Sequence, residues 1–208
     1  MFGSNSITTI AIFLIVLFFS TSLHELMHAY VALQLGDDLA HSRGRISLNP
    51  LVHIDPFLTV LLPLGMLLLG LQPILAAKPV PINTGRLRGG DTGLALVGIA
   101  GPLTNLVIAI FAGTVLRYVY LSGFAGNLLQ AFFDINIGLF VFNMIPLPPL
   151  DGSRVLYAFA PEPVQKVMQQ IESFGVIGII LFITLLSPVI SPVLITIESG
   201  LARIIIGS

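Results

Sequence analysis

The stretch FFSTSLHELMHAYVALQL, residues 18–35, sets two histidines and a glutamate directly behind a run of Ile, Leu, Val and Phe. Ionisable side chains at the edge of an apparent membrane span are expensive and ordinarily functional. His24, Glu25 and His28 form the pattern H-E-x-x-H. On an α-helix, residues four apart differ by about 40° in azimuth, so both imidazoles face one point, while Glu25 lies about 100° round and reaches a water bound there. Four His and four Glu among 208 residues would generate the pattern by chance in roughly one such chain in a thousand. The competing reading makes the three residues interfacial side chains that cap the helix or pair with one another.

Composition decides which solvent applies. The chain is 55% hydrophobic and 9% charged, with a mean hydropathy of +0.99, whereas soluble domains carry about 25% charged residues. It reads as an all-α polytopic membrane protein, one membrane-embedded domain over residues 1–208, with the lipid bilayer as its surroundings. A net charge of −1 gives no sign of a nucleic-acid partner, and without cysteine any metal must be held by nitrogen and oxygen. Residues 7–19 do not read as a cleaved signal, since no Lys or Arg precedes them and the apolar pattern runs on through the histidines.

Apolar stretches at about 7–35, 57–76, 94–119, 127–147 and 174–206 compare with the roughly 20 residues that one span needs. If all five cross, the basic residues divide four against five. If residues 57–76, which contain Pro63, Gly65, Gly70 and Pro73, dip in and return, one side holds Arg43, Arg45, Lys78, Arg86, Arg88, Arg154 and Lys166 and the other only Arg117 and Arg203. The second division has the bias expected of a cytoplasmic face. The favoured reading is therefore four to six transmembrane or re-entrant helical segments, with a short extended or β connector near the active site. Pro188 and Pro192 leave open whether the last stretch is one kinked span or a hairpin.

A catalytic zinc needs a third protein ligand and an open position. His41 and His53 lie in polar connectors, and the acidic candidates are Asp134, Asp151 and Glu198. Asp151 stands out in NMIPLPPLDG (143–152), where Pro146, Pro148 and Pro149 break the fourth apolar stretch and Gly152 permits an unusual turn. As a plain helix-start carboxylate it would need no metal. Zn²⁺ with ionised Asp151 and Glu25 sums to zero, as a site in low dielectric requires.

These residues resemble the site-2 proteases, zinc metalloproteases that cut peptide bonds within membranes. The resemblance rests on HELMH (24–28), GPLTN (101–105) and NMIPLPPLDG (143–152); GRISLNPLVHIDP (44–56) and AKPVPIN (77–83) look like the compact branch without PDZ or CBS domains. It implies one Zn²⁺ per chain on His24, His28 and Asp151, with Glu25 as catalytic acid/base. DPFLT departs from the pattern, which has a glycine there.

The expected activity is hydrolysis of peptide bonds in or near transmembrane segments of membrane proteins, with Glu25-activated zinc-bound water as nucleophile. Asn143 is the candidate oxyanion stabiliser, Asn105 a weaker one, and GPL before Asn105 marks a close helix contact. RGRISL offers an extended edge for an unwound substrate. His53 anchors its own loop, and His41 is an ordinary solvated side chain. The active site is expected towards the cytoplasmic side of the cell membrane, with a transmembrane protein or peptide as substrate and a homo-oligomer or a regulatory membrane partner in prospect. The alternative class is a membrane metal transporter using His24, His28 and Asp151 as a transit site, which would not need Glu25. A binding module without turnover is a third reading.

Overall fold

The computed structural model describes residues 7–53, 55, 61 and 80–207. They form helices α1 (Ile7–Gln34), α2 (Leu39–Ser42), α3 (Gly90–Tyr118), α4 (Gly123–Asn143), α5 (Asp151–Phe159), α6 (Glu162–Ser173) and α7 (Gly175–Ile206), with short 3₁₀ turns at Pro50–His53 and Thr84–Arg86. Among the described residues four segments are long and apolar enough to cross a membrane: α1, α3, α4 and the Pro188–Ile206 part of α7. Lipid offers no hydrogen bonds to backbone groups, so helices that satisfy their own are the form such sequences take. The fold is that of an integral membrane protein.

The helices are apolar outside and small or polar inside. On α1 the buried positions Ile12, Val16, Ser20, His24, His28 and Ala32 recur every four residues, while Ile7, Ile15 and Phe19 are exposed. That stripe turns inward against α3, the central helix, which packs on α1, α4, α5 and α7. Its buried surface is Gly93, Ala95, Val97, Gly98, Ala100, Gly101, Pro102, Asn105, Ala109, Ala112 and Gly113. Small residues let helix backbones approach closely where no hydrophobic force drives them together. At the far end Phe133 and Ile137 of α4 fill the core with Ala109 and Ala112, and Leu201 and Ile205 of α7 close it.

Side-chain and backbone bonds fix which helix ends meet. Gly36, at φ +100°, closes α1 in a Schellman motif, with the Asp37 N–H on the Ala32 carbonyl at 2.9 Å and the Gly36 N–H on that of Leu33 at 3.0 Å. The Arg88 N–H then donates to the Leu35 carbonyl at 2.8 Å, buried Asp37 accepts from the Asn83 N–H at 2.6 Å, and Arg86 pairs with Asp38. The chain thus leaves α1 and enters α3 at one end of the bundle. At the opposite end the Arg117 guanidinium reaches the Ile204 and Ile205 carbonyls, both at 3.4 Å. The expected re-entrant passage of residues 57–76 lies outside the described residues, Leu61 apart.

One expectation changes and one open choice closes. Residues 43–49 form turns and bends with no strand pairing among the described residues, so the extended edge expected in RGRISL is not formed there. Local bonds compete with it: Arg45 donates to the Val52 carbonyl, Ser47 Oγ accepts from the Asn49 N–H at 3.1 Å, and Asn49 Oδ1 accepts from the Leu51 N–H at 3.0 Å. The choice between one span and a hairpin for the last stretch falls to a single helix, α7, that carries both Pro188 and Pro192.

Candidate metal centre

The inward stripe of α1 delivers two imidazoles one turn apart, about 25 Å along the helix from Ile7 and about 15 Å short of its end. Their rings stand edge to face, with centroids 4.6 Å apart. After α4 ends, the proline-bearing turn 144–150 carries the chain back so that Asp151 opens α5 against them. Asp151 Oδ2 lies 2.9 Å from His24 Nε2 and 3.1 Å from His28 Nε2, and the two Nε2 atoms are 3.0 Å apart. Among the described residues this is the one group of three His, Cys, Asp or Glu side chains able to hold a metal ion.

The outer ring nitrogens decide what the trio can bind. His28 Nδ1 lies 2.6 Å from the Val97 carbonyl and His24 Nδ1 lies 2.5 Å from Asn105 Oδ1. Both partners are acceptors, so each Nδ1 carries the proton and each Nε2 offers a lone pair. Two lone pairs and a carboxylate therefore face one another, an arrangement that a cation resolves and that is costly without one. Nitrogen and oxygen donors each about 2.1 Å from a tetrahedral Zn²⁺ would lie about 3.4 Å apart, a few tenths of an ångström beyond the 2.9–3.1 Å between these three atoms. The donor set fits zinc.

The surrounding residues hold this geometry. A Cβ on Gly101 would stand 2.5 Å from both Nε2 atoms, so the glycine of GPLTN keeps clear the space beside the donors as well as marking a close helix contact. Gly98 does the same one turn earlier, where a Cβ would meet Arg154 Cβ at 2.8 Å and the Asp151 carbonyl at 3.1 Å. Gly152 is not among the positive-φ glycines; it serves by close packing rather than by the expected unusual turn, since a Cβ would lie 2.4 Å from the Met144 carbonyl. Arg154 Nη1 reaches Asp151 Oδ1 at 3.3 Å. Its charge takes the local sum for Zn²⁺, Asp151 and Glu25 to +1, correcting the neutral sum read from the sequence.

Glu25 is half-buried, and one of its oxygens accepts from the Val80 N–H at 3.3 Å. Val80 also lines a cavity of ≈ 300 Å³ with Ile82, Arg154, Tyr157, Met168 and Glu172. Its lining thus includes one residue bonded to Glu25, Val80, and one bonded to Asp151, Arg154. Asn143 is not brought to the donors by any hydrogen bond described: its Nδ2 donates to the Leu139 carbonyl of its own helix at 2.9 Å. Asn105 is fully buried and bonded to His24, which makes it a support of the imidazole rather than an oxyanion donor. Asp134, exposed on α4, accepts from Gln130 at 2.9 Å, Glu198 lies on α7 facing Gly138, and His41 is exposed on α2. The His53 side chain lies outside the described residues.

Arg154, Gly101 and Asn105 went unassigned as supports in the sequence, yet each had a signal. Gly98, Gly101 and Asn105 share one face of α3 by their three- and four-residue spacing, and Arg154 follows Asp151 by three. The Asn136 contact described below had none.

The model of peptidase family M50 matches residues 122–187, which include Asp151. YwhC of Bacillus subtilis (strain 168), which carries a zinc metalloprotease name, is 41% identical over 180 residues, 82% of this chain and 79% of that protein. Rip2 of Mycolicibacterium smegmatis, named in the same way, is 30% identical over 79% of this chain and 64% of its own length. The zinc metalloprotease MJ0392 of Methanocaldococcus jannaschii is 32% identical over 71% of this chain and 34% of its own. No solved structure matches the chain. With a helical membrane fold over the described residues, a buried His-His-Asp donor set that fits zinc and a relative of this likeness along most of its length, the chain belongs to peptidase family M50, the site-2 protease family of zinc metalloproteases.

Proposed function

We propose that the protein hydrolyses peptide bonds in or near transmembrane segments, with His24, His28 and Asp151 as the zinc ligands and Glu25 as the catalytic acid/base. The observation that carries this reading is the convergence of three donor atoms at 2.9–3.1 Å where the inner face of the long apolar helix α1 meets the start of α5. Zinc supplies Lewis acidity there, acidifying water and polarising the scissile carbonyl. Glu25 takes the proton from the attacking water and returns it to the leaving amine. Its bond from the Val80 N–H orients the carboxylate beside the cavity, where an unwound substrate segment would lie. Unwinding is required because the carbonyls of a substrate helix are engaged in i to i−4 hydrogen bonds.

Asn143 serves as oxyanion donor in this scheme by exchanging its Leu139 bond for one to substrate. Asn143→Ala is then expected to lower kcat about 10²-fold or more with zinc content unchanged, and an unchanged kcat removes it from the mechanism. The division of basic residues favours the cytoplasmic side for the end where α1 closes and α3 begins, in the cell membrane. Protease accessibility of tags in inverted vesicles tests that orientation.

The central test uses the full chain, purified in detergent or liposomes, with a transmembrane-helix substrate. Glu25→Gln is expected to keep about one zinc per chain while cleavage disappears; retained cleavage would refute the acid/base assignment. Metal flux into liposomes that survives Glu25→Gln and is lost in His24→Ala would favour transport instead.

A further inference from the structure

Behind His24 runs a chain of side-chain amides across three helices. His24 Nδ1 meets Asn105 Oδ1 at 2.5 Å, and Asn105 Nδ2 meets Asn136 Oδ1 at 2.8 Å. Asn136 Nδ2 lies 2.8 Å from Ser20 Oγ and 2.8 Å from the Phe132 carbonyl. Ser20, Asn105 and Asn136 are all 0% exposed, so the network operates where an unmet polar group is most costly.

One end of this chain cannot be reversed. A backbone carbonyl only accepts, so the atom that Asn136 turns to Phe132 must be its NH₂ group. Its oxygen therefore faces Asn105, which must answer with its own NH₂ and turn its oxygen to His24. An oxygen there demands a proton on Nδ1 and leaves Nε2, which points at Asp151 and His28, free to ligate. Were the Asn105 amide turned over, its NH₂ would face Nδ1 and favour the tautomer whose Nε2 bears the proton. Ser20 lies one turn before His24 on the inward stripe of α1, so its bond from Asn136 also ties α4 to the helix that carries the imidazole.

We propose that Asn136 is a positioning residue of the metal centre: acting through Asn105, it sets which ring nitrogen His24 presents. The proposal rests on the reading of His24 as a zinc ligand. It assigns a role to a residue on α4 that touches neither the donor trio nor the cavity lining.

The test is a double-mutant cycle on zinc affinity, measured by chelator competition on the full-length protein in detergent. Asn136→Leu is expected to weaken zinc binding about tenfold, the lower end of the range for outer-shell partners. Asn105→Asp removes the need for orientation, because both carboxylate oxygens accept. The double variant Asn105→Asp with Asn136→Leu is therefore expected to return to within about threefold of wild type. Wild-type affinity in Asn136→Leu, or an undiminished loss in the double variant, would overturn the proposal. If Asn136→Leu does not fold, ¹⁵N spectra of histidine-labelled, zinc-free wild type at alkaline pH still decide it. A proton on His24 Nδ1 supports the relay, and a proton on its Nε2 overturns it. Retention of a full zinc equivalent by His24→Ala would instead refute the ligand reading itself.

Discussion

Gly101→Ala adds a single methyl group directly against both imidazoles of the donor trio. The new Cβ would stand 2.5 Å from His24 Nε2 and 2.5 Å from His28 Nε2, where 3.4 Å begins ordinary contact, an overlap of about 0.9 Å with two ring atoms at once. Neither ring can swing aside freely, since His28 Nδ1 is tied to the Val97 carbonyl at 2.6 Å and His24 Nδ1 to Asn105 at 2.5 Å. Metal sites tolerate about ±0.2 Å in ligand distance, so a shift several times larger dismantles this one. Overpacking of this kind costs about 1–3 kcal/mol of stability, and a misplacement near 1 Å costs about 10²-fold in rate. The expected result is a folded protein with zinc affinity weakened at least about 10²-fold, equivalent to about 2.7 kcal/mol. The assay is chelator competition with zinc content measured after dialysis, run beside thermal unfolding with and without zinc. Gly200→Ala is the control, because nothing lies within 4 Å of its Cβ position, and it is expected to bind and cleave as wild type. Wild-type zinc affinity in Gly101→Ala would refute the placement of the donors against α3.

Gly152→Ala, with its Cβ 2.4 Å from the Met144 carbonyl, is expected to push Asp151 off the trio and weaken zinc binding at least about tenfold, read by the same competition; an unchanged affinity would show that the turn 144–150 yields without moving the carboxylate. Chelation of zinc from the wild type is expected to lower the unfolding temperature as well as abolish cleavage, because the lone pairs and carboxylate lose the cation between them. Restoring zinc should reverse both changes, and an unshifted unfolding temperature on removal would argue against a site loaded at the centre of the fold.

Much of this protein was legible in its sequence. Hydropathy alone determined a membrane solvent and hence helices. The spacing of His24 and His28 determined that both imidazoles leave one face of α1, since neighbours four apart on a helix are set by helix geometry whatever surrounds them. Asp151 could be singled out because prolines break the segment before it. What no periodicity carries is the depth at which one helix stands against another. That register comes from the small residues Gly98, Gly101 and Gly113 of α3, whose missing side chains let α1, α4, α5 and α7 close to contact. It alone decides that Asn105 reaches His24, that Asn136 and Ser20 meet, and that Asn143 turns to Leu139. The sequence by itself determined the solvent, the helices and the types of candidate donor; only tertiary packing decided which nitrogen of each imidazole faces Asp151 and which residues hold it there, because hydrogen bonds between helices depend on their relative depth and rotation.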